Sequence, residues 1–431
     1  MGQTEEQVYE LARKTGFQRR APRKIDSVVF AQTLHEQSLE GTCSYNDLAL
    51  RIDEQCGGGV SRQAVGKRMD ERCVEFLKAI LARALSHRFT EARNASVQPS
   101  GRYRRVLVQD STVVQLPVRL FETYSGVSNA HAKVCNARIQ AVYELIEGAF
   151  ASFTVDPYSK NDLTSAPELQ LLPGDLVLRD RGYLTCDEIQ RHLDVGADCI
   201  YRHKSTTVYL DPETGNPIDL LATLRTQGNM DMTVNLNNDS RTPVRLVAVP
   251  VAEEVANLRR MKLKKETRGH APSAKLLQLM SWTIFITTIP KEEASFRQLL
   301  DIYGLRWRIE TVFKAWKSNL RLAFIHNVSD SQLRALMIAR MTMIVLCVNC
   351  VFHNAESRIA EHYGRHLSLL KATKYLARNT RRIAEAVEVL CTTTGKHPLL
   401  DRLARYCTYD QRQRENFNQK WQRLRDGWML S

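Results

Sequence analysis

The sequence lacks a paired-cysteine framework. Its ten cysteines are scattered singly apart from Cys347-x-x-Cys350, and no second pair stands at a spacing that would complete a zinc site. They read as reduced cysteines used as small apolar residues, which excludes a disulfide-stapled secreted domain. An N-terminal signal pattern is also missing, since the opening residues are polar and mixed in charge. A cytoplasmic protein is the expectation. Nor is there a long apolar run free of polar groups. The best candidate, Ala335 to Phe352, contains Arg340 and Asn349, whereas a membrane helix needs about 20 apolar residues without an interior charge. It reads as a helix buried in the protein, so no membrane association is expected.

Acidic excess is absent too. Across 431 residues, 61 Lys and Arg stand against 47 Asp and Glu, a net charge of +14. That balance favours a polyanionic partner, because Lys and Arg displace counterions condensed on nucleic acid. A membrane surface is the rival polyanion. Hydrophobic and charged fractions of 43% and 25% belong to an ordinary globular protein, and the length suits about two to four domains.

What is present centres on Tyr303 to Lys317, YGLRWRIETVFKAWK. At about 100° per residue, Tyr303, Arg306, Glu310 and Lys317 fall within roughly 60° on one helix, and Trp307 and Lys314 extend that face. Leu305, Ile309, Val312, Phe313, Trp316 and Leu320 form the opposite, apolar face. A solvated charged face is the usual reading of such a pattern. Here a Trp and a Tyr point outward with the charges, and a lone carboxylate stands among cations suited to phosphate.

Earlier in the chain, the helical pattern Ser44 to Ile52 stops at Gly57-Gly58-Gly59. Ser61 then N-caps a second helix with outward Arg62, Gln63, Lys67 and Arg68. A helix-turn-helix reader of the major groove needs this arrangement, and an ordinary helical bundle would also satisfy it. A third amphipathic run, Cys73 to Leu85, closes the small bundle. Beyond Arg105 the pattern turns to strands. Val106-Leu107-Val108-Gln109-Asp110 and Asp175-Leu176-Val177-Leu178-Arg179-Asp180 are each short apolar runs ending in an acid. Such tips put carboxylates where a sheet opens to ligands; capping of a turn is the alternative for either one.

Tyr303-x2-Arg306-x3-Glu310-x6-Lys317 resembles the YREK signature of the IS-four group of insertion-sequence transposases. Asp110, Asp180 and Glu310, in the contexts VLVQDSTV, LVLRDRGY and the YREK stretch, resemble the DDE triad of RNase H-like transposases. The resemblance covers about residues 100–330. It implies an α/β protein with an RNase H-like catalytic core interrupted by a β-rich insertion, flanked by an N-terminal helical DNA-binding domain and a helical C-terminal tail. The expected boundaries are 1–100 for the N-terminal domain, 101–202 and 282–375 for the core, 203–281 for the insertion and 376–431 for the basic tail.

Within the insertion, Arg259, Arg260, Lys262, Lys264 and Lys265 lead into Arg268-Gly269-His270. This is expected to be a basic loop between strands that contacts the DNA backbone. Three carboxylates without Cys or His ligands suit two Mg²⁺ or Mn²⁺ ions. Arg306, Lys317 and Tyr303 would hold the phosphate. Trp307 and Trp282 are candidates to stack on a flipped base, as in hairpin-forming relatives; for Trp282 a buried strand position is the equal alternative. The implied activity is cut-and-paste transposition by a homodimer on paired double-stranded DNA ends. The competing readings are a nuclease that cuts without joining and a vestigial DNA-binding regulator.

Overall fold

The computed structural model describes residues 5–22, 24–40, 43–86, 102–126, 133–160, 163, 166, 168–267, 271–320, 329–378, 381–392, 395, 397–410 and 416–429. In chain order, the helices begin with α1 (Glu5–Lys14), α2 (Ser27–Ser38), α3 (Tyr45–Cys56), α4 (Arg62–Arg68) and α5 (Glu71–Ser86). Strands β1 (Arg105–Gln115), β2 (Asn136–Glu144), β3 (Ala149–Pro157) and β4 (Asp175–Arg179) follow, then α6 (Cys186–Val195), β5 (Asp198–Arg202) and β6 (Tyr209–Leu210). Next come α7 (Leu220–Gln227), β7 (Met230–Leu236), β8 (Pro243–Pro250), α8 (Glu253–Glu266), α9 (Ala274–Leu279) and β9 (Trp282–Thr287). The remainder is helical: α10 (Phe296–Gly304), α11 (Trp307–Asn319), α12 (Asp330–Val345), α13 (His353–Tyr363), α14 (Leu369–Ala377), α15 (Arg381–Thr392), α16 (Pro398–Tyr406) and α17 (Phe417–Leu424).

The mixed α/β chain divides into two units. The larger comprises residues 1–98, 111–167 and 308–418, and the smaller comprises 99–110, 168–307 and 419–431.

The larger unit is built around α12, against which α2 and α5 pack. The helical run Asp330–Tyr363 is long and apolar enough to cross a membrane, yet 94% of its most apolar window is buried inside the protein. Arg340 and Asn349, which interrupt the Ala335–Phe352 stretch, have partners. Arg340 donates from its guanidinium to the Ser38 carbonyl, and the Asn349 side-chain oxygen accepts from the Phe150 N–H at 3.0 Å. Buried polar groups need such partners, because an unmade hydrogen bond there costs about 1–3 kcal/mol. Near the N-terminus, Ser44 and Asp47 close a capping box that starts α3, and Ser61 caps α4. Gly66 lets the two helices approach closely: a Cβ there would stand 3.2 Å from the Tyr45 ring.

In the same unit β2 and β3 form an antiparallel hairpin that lays Phe150 and Phe153 on α11. Trp316 is fully buried, with its ring 4.8 Å from Phe150, 5.4 Å from Phe153 and 5.0 Å from Phe313. Aromatic pairs of this kind add about 0.5–1.5 kcal/mol beyond their buried area. They fix the rear of the helix that bears Glu310.

The smaller unit holds a mixed sheet with strand order β1-β4-β5-β9-β8-β7-β6. β1, β4 and β5 run parallel, and the remaining pairs are antiparallel. Where they pair, the parallel strands are buried, over Val106–Gln109, Leu176–Arg179 and Cys199–Tyr201, as strands covered on both faces must be. Strand β1 runs from one unit to the other, with Asp110 the last residue on the smaller unit's side.

Candidate active site

The site grows from a register. β1 and β4 pair in parallel from Arg105↔Asp175 to Gln109↔Arg179, and the next residue on each chain is an acid, Asp110 and Asp180. Parallel neighbours lie about 4.8 Å apart, so the two carboxylates emerge at the same end of adjacent strands. Contrary to expectation, β1 does not stop at its acid but continues to Gln115. Pairing with β4 ends at Gln109, while Thr112, Val113 and Val114 keep the backbone extended.

The YREK stretch also departs from expectation. It is not one helix: α10 ends at Gly304 and α11 begins at Trp307. Between them the Leu305 N–H donates to the Ile302 carbonyl at 2.9 Å and the Arg306 N–H to the Tyr303 carbonyl at 3.1 Å. These three-residue bonds tighten the last turn and re-aim the chain. Tyr303 and Arg306 are buried rather than displayed, and each reaches an acid. The Arg306 guanidinium donates to Asp110 Oδ2 at 2.8 Å, and the Tyr303 hydroxyl donates to Asp180 Oδ1 at 3.4 Å. Arg306 also lies 5.6 Å over the Tyr303 ring, which packs on Phe285 at 4.8 Å. Burial pushes the Tyr303 phenol well above its ordinary pKa; the Asp180 charge adds to this and the Arg306 charge opposes it.

Glu310 occupies the first turn of α11 and is half-buried. Lys314 is exposed. Lys317 is half-buried, and burial lowers its ammonium pKa. Trp307 is 62% exposed, as an outward aromatic should be. Among the described residues no group of three or more His, Cys, Asp or Glu side chains is arranged to hold a metal ion together. The sequence led us to expect such a grouping of Asp110, Asp180 and Glu310. The first two stand side by side and are carboxylates, the donor type Mg²⁺ and Mn²⁺ take. On donor chemistry, therefore, the residues fit these ions.

Trp282 opens β9, half-buried, with its indole N–H donating to the Gly228 carbonyl at 2.7 Å. The basic segment is a correction: residues 259–265 lie in helix α8, not in a loop. Glu253 and Glu254 in its first turn and Lys264 and Lys265 in its last complement the helix dipole, and no Gly or Pro interrupts it. Two of its cations are engaged locally. Arg259 donates to the Trp282 carbonyl and to Thr283 Oγ1, both at 3.0 Å. Arg260 donates to Glu253, Asn257, Ser281 and the Leu277 carbonyl. Lys262, Lys264 and Lys265 are exposed, with Lys262 3.7 Å from Glu266. Arg268, Gly269 and His270 lie outside the described residues.

On α4, Arg62, Gln63 and Lys67 are exposed. Arg68 instead lies 5.2 Å over the Phe17 ring and donates to the Phe17 carbonyl at 3.4 Å. One cation went unnoticed in the sequence. Arg202 ends β5 one step past Tyr201, the register partner of Arg179, and so stands in line with Asp180. Its charge is felt by Tyr303 and Arg259. The signal was available, because Cys199-Ile200-Tyr201-Arg202 is a third short apolar run ending in a charge.

Two acids thus stand at adjacent parallel strand tips, each bonded by a residue of one motif. The family model described as "Transposase DDE domain" matches residues 102–346, and the chain belongs to that family of DDE transposases. Among curated proteins it is similar to the transposase for insertion sequence element IS231C of Bacillus thuringiensis subsp. berliner, 26% identical over 427 residues, covering 90% of this chain and 88% of the relative. It is similar also to the transposase for IS1151 of Clostridium perfringens, 25% identical over 358 residues, covering 77% and 74%. These relatives are insertion-sequence transposases of the IS-four group, and the chain stands with them. A cryo-EM structure of a piggyBac transposase synaptic complex with hairpin DNA aligns over 93% of this chain and 82% of that one. The TM-score is 0.43 and the sequence identity 11%. Transposases act on DNA, and those of the DDE type use divalent metal ions.

Proposed function

We propose that this transposase works by cut-and-paste: it binds the inverted-repeat ends of its element, cleaves them through a hairpin, and joins the freed 3′-hydroxyls to target DNA. The observation that carries the reading is the pairing of Arg306 with Asp110 and of Tyr303 with Asp180, which ties the signature residues to the two strand-tip acids. In this reading the sheet around β1, β4 and β5 belongs to an RNase H-like core over 101–202 and 282–375, with the insertion at 203–281. Residues 1–100 form the DNA-binding domain and the tail covers 376–431.

Asp110, Asp180 and Glu310 would hold two Mg²⁺ or Mn²⁺ ions, which supply activation of the attacking oxygen and stabilisation of the leaving oxygen. In the first step a water oxygen bonds to phosphorus and the bond from phosphorus to the 3′ oxygen breaks, leaving a 3′-hydroxyl and a 5′-phosphate. That hydroxyl then attacks a phosphodiester of the opposite strand, closing a hairpin and releasing the flanking strand. A second water reopens the hairpin, and the restored 3′-hydroxyl attacks target DNA.

Arg306 orients Asp110, and Tyr303 orients Asp180. With Lys317 they hold the phosphate that the acids work on. Trp307, exposed beside them, stacks on the base unstacked by the hairpin bend, with Trp282 the second candidate. Arg62, Gln63 and Lys67 on α4 read or grip the ends, joined by Lys314 and by Lys262, Lys264 and Lys265 on α8. Arg68, Arg259 and Arg260 serve these helices through their local bonds. Two copies act together on paired ends, in the nucleoid.

The test is purified protein with Mg²⁺ and DNA carrying the element's ends. Joined product supports the proposal. Cleavage without joining reassigns the protein as a nuclease, and binding alone as a regulator.

A further inference from the structure

Asp301 lies on α10 two residues before Tyr303, and both of its oxygens are engaged by one helix. Lys420 Nζ is 3.0 Å from Oδ1 and Arg423 Nη2 is 3.3 Å from Oδ2. Lys420 and Arg423 are one turn apart on α17, so a single face of that helix converges on a single acid. The approach is close at Gly304, where a Cβ would stand 2.8 Å from Lys420 Nζ. The residues after Gly304 are the turn that sends Arg306 to Asp110. Surface ion pairs add little to global stability. Two cations held on one part-buried acid, at the base of the turn that aims the site, are placed instead to fix local geometry.

We propose that α17 is a strap, which through Asp301 holds the end of α10 and so sets Tyr303 and Arg306 against Asp180 and Asp110. The proposal rests on the reading of Asp110 and Asp180 as catalytic acids. In this proposal Asp301, Lys420 and Arg423 act through the turn that follows Gly304; they are positioning residues. A helix some 120 residues downstream in the sequence thereby becomes part of the site's framework.

The full-length protein tests this in two variants, Asp301→Asn and the double variant Lys420→Gln/Arg423→Gln, with Asp301→Glu as the conservative control. Two measurements are made: amide hydrogen exchange, and single-turnover cleavage of end-containing DNA at saturating DNA with Mg²⁺. Both variants should exchange the Leu305 and Arg306 amides about tenfold faster than wild type, with α2 amides unchanged. Their cleavage rates should fall about tenfold at unchanged DNA affinity, and Asp301→Glu should keep most of both properties. Unchanged exchange at Leu305 and Arg306 in the double variant overturns the strap, as does a cleavage loss that is entirely weaker DNA binding. If Asp301→Asn fails to fold, the double variant decides. Faster exchange alongside an Asp110→Asn protein that cleaves normally keeps the strap and removes the acid reading.

Discussion

Arg306 donates to Asp110 at 2.8 Å across 196 residues of chain, with both side chains largely withdrawn from water. The signature arginine is thus bonded to the first strand-tip acid, the placement on which its proposed phosphate role rests. Arg306→Ala should lower single-turnover cleavage about a hundredfold, the scale of a displacement of roughly 1 Å at a reacting group. Arg306→Lys should recover part of this, because it restores the charge without the planar fork. Equal cleavage by all three proteins would remove Arg306 from the machinery.

Glu310→Gln keeps the size of the side chain and deletes its charge. It should bind end-containing DNA within about twofold of wild type, since the phosphate contacts that dominate affinity are elsewhere, yet neither cut nor join. A gel-shift titration beside a cleavage assay separates the two, and residual cutting at the wild-type rate would count heavily against Glu310.

Trp307→Ala should slow hairpin closure more than the first nick, because base stacking, worth about 1–3 kcal/mol, is needed only once the strand bends. Time courses resolving nicked and hairpin products give both rates. Equal loss in the two steps would take away the stacking role.

Arg62→Ala and Lys67→Ala alter exposed cations of α4. Each should weaken end binding across a salt series and reduce the slope of log affinity against log salt by about 1. If neither slope changes, the α4 face does not meet DNA.

His35 is fully buried within α2 beneath α12, with Nδ1 2.6 Å from the Ala31 carbonyl. Burial lowers its pKa to about 4, and the Ala31 contact opposes this. An unfolded His titrates near 6.5, so between these values the unfolded chain binds more protons than the folded one. Stability from neutral His35 is therefore present above about pH 6.5 and lost as pH falls toward 4, by about 2 kcal/mol between pH 7 and 5. Denaturant midpoints at those two pH values should show His35→Leu losing less on acidification than wild type does.

The sequence made some of this legible because the cause was local. Ile309, Val312, Phe313 and Trp316 are all buried on α11, since a helical stripe depends only on spacing. The Ala335–Phe352 stretch lies within a buried helical run for the same kind of reason. Other features turned on distant partners. The break at Leu305–Arg306 accompanies a guanidinium drawn to an acid far along the chain, and Arg68 is held by Phe17, 51 residues away. The Arg259–Lys265 helix was a different failure. Charge density suggested a loop, while the dipole-matched ends of Glu253–Glu266 had already specified a helix.

The shared register of β1 and β4 carries an evolutionary consequence. Successive residues of a strand face opposite sides, so one added or lost codon between Arg105 and Gln109 would turn Asp110 away from Asp180. Such a reading frame would still translate into a plausible sheet, with every acid of its signature intact. Copies silenced in this way would escape a census of motif residues and be found only by counting the letters before the first aspartate.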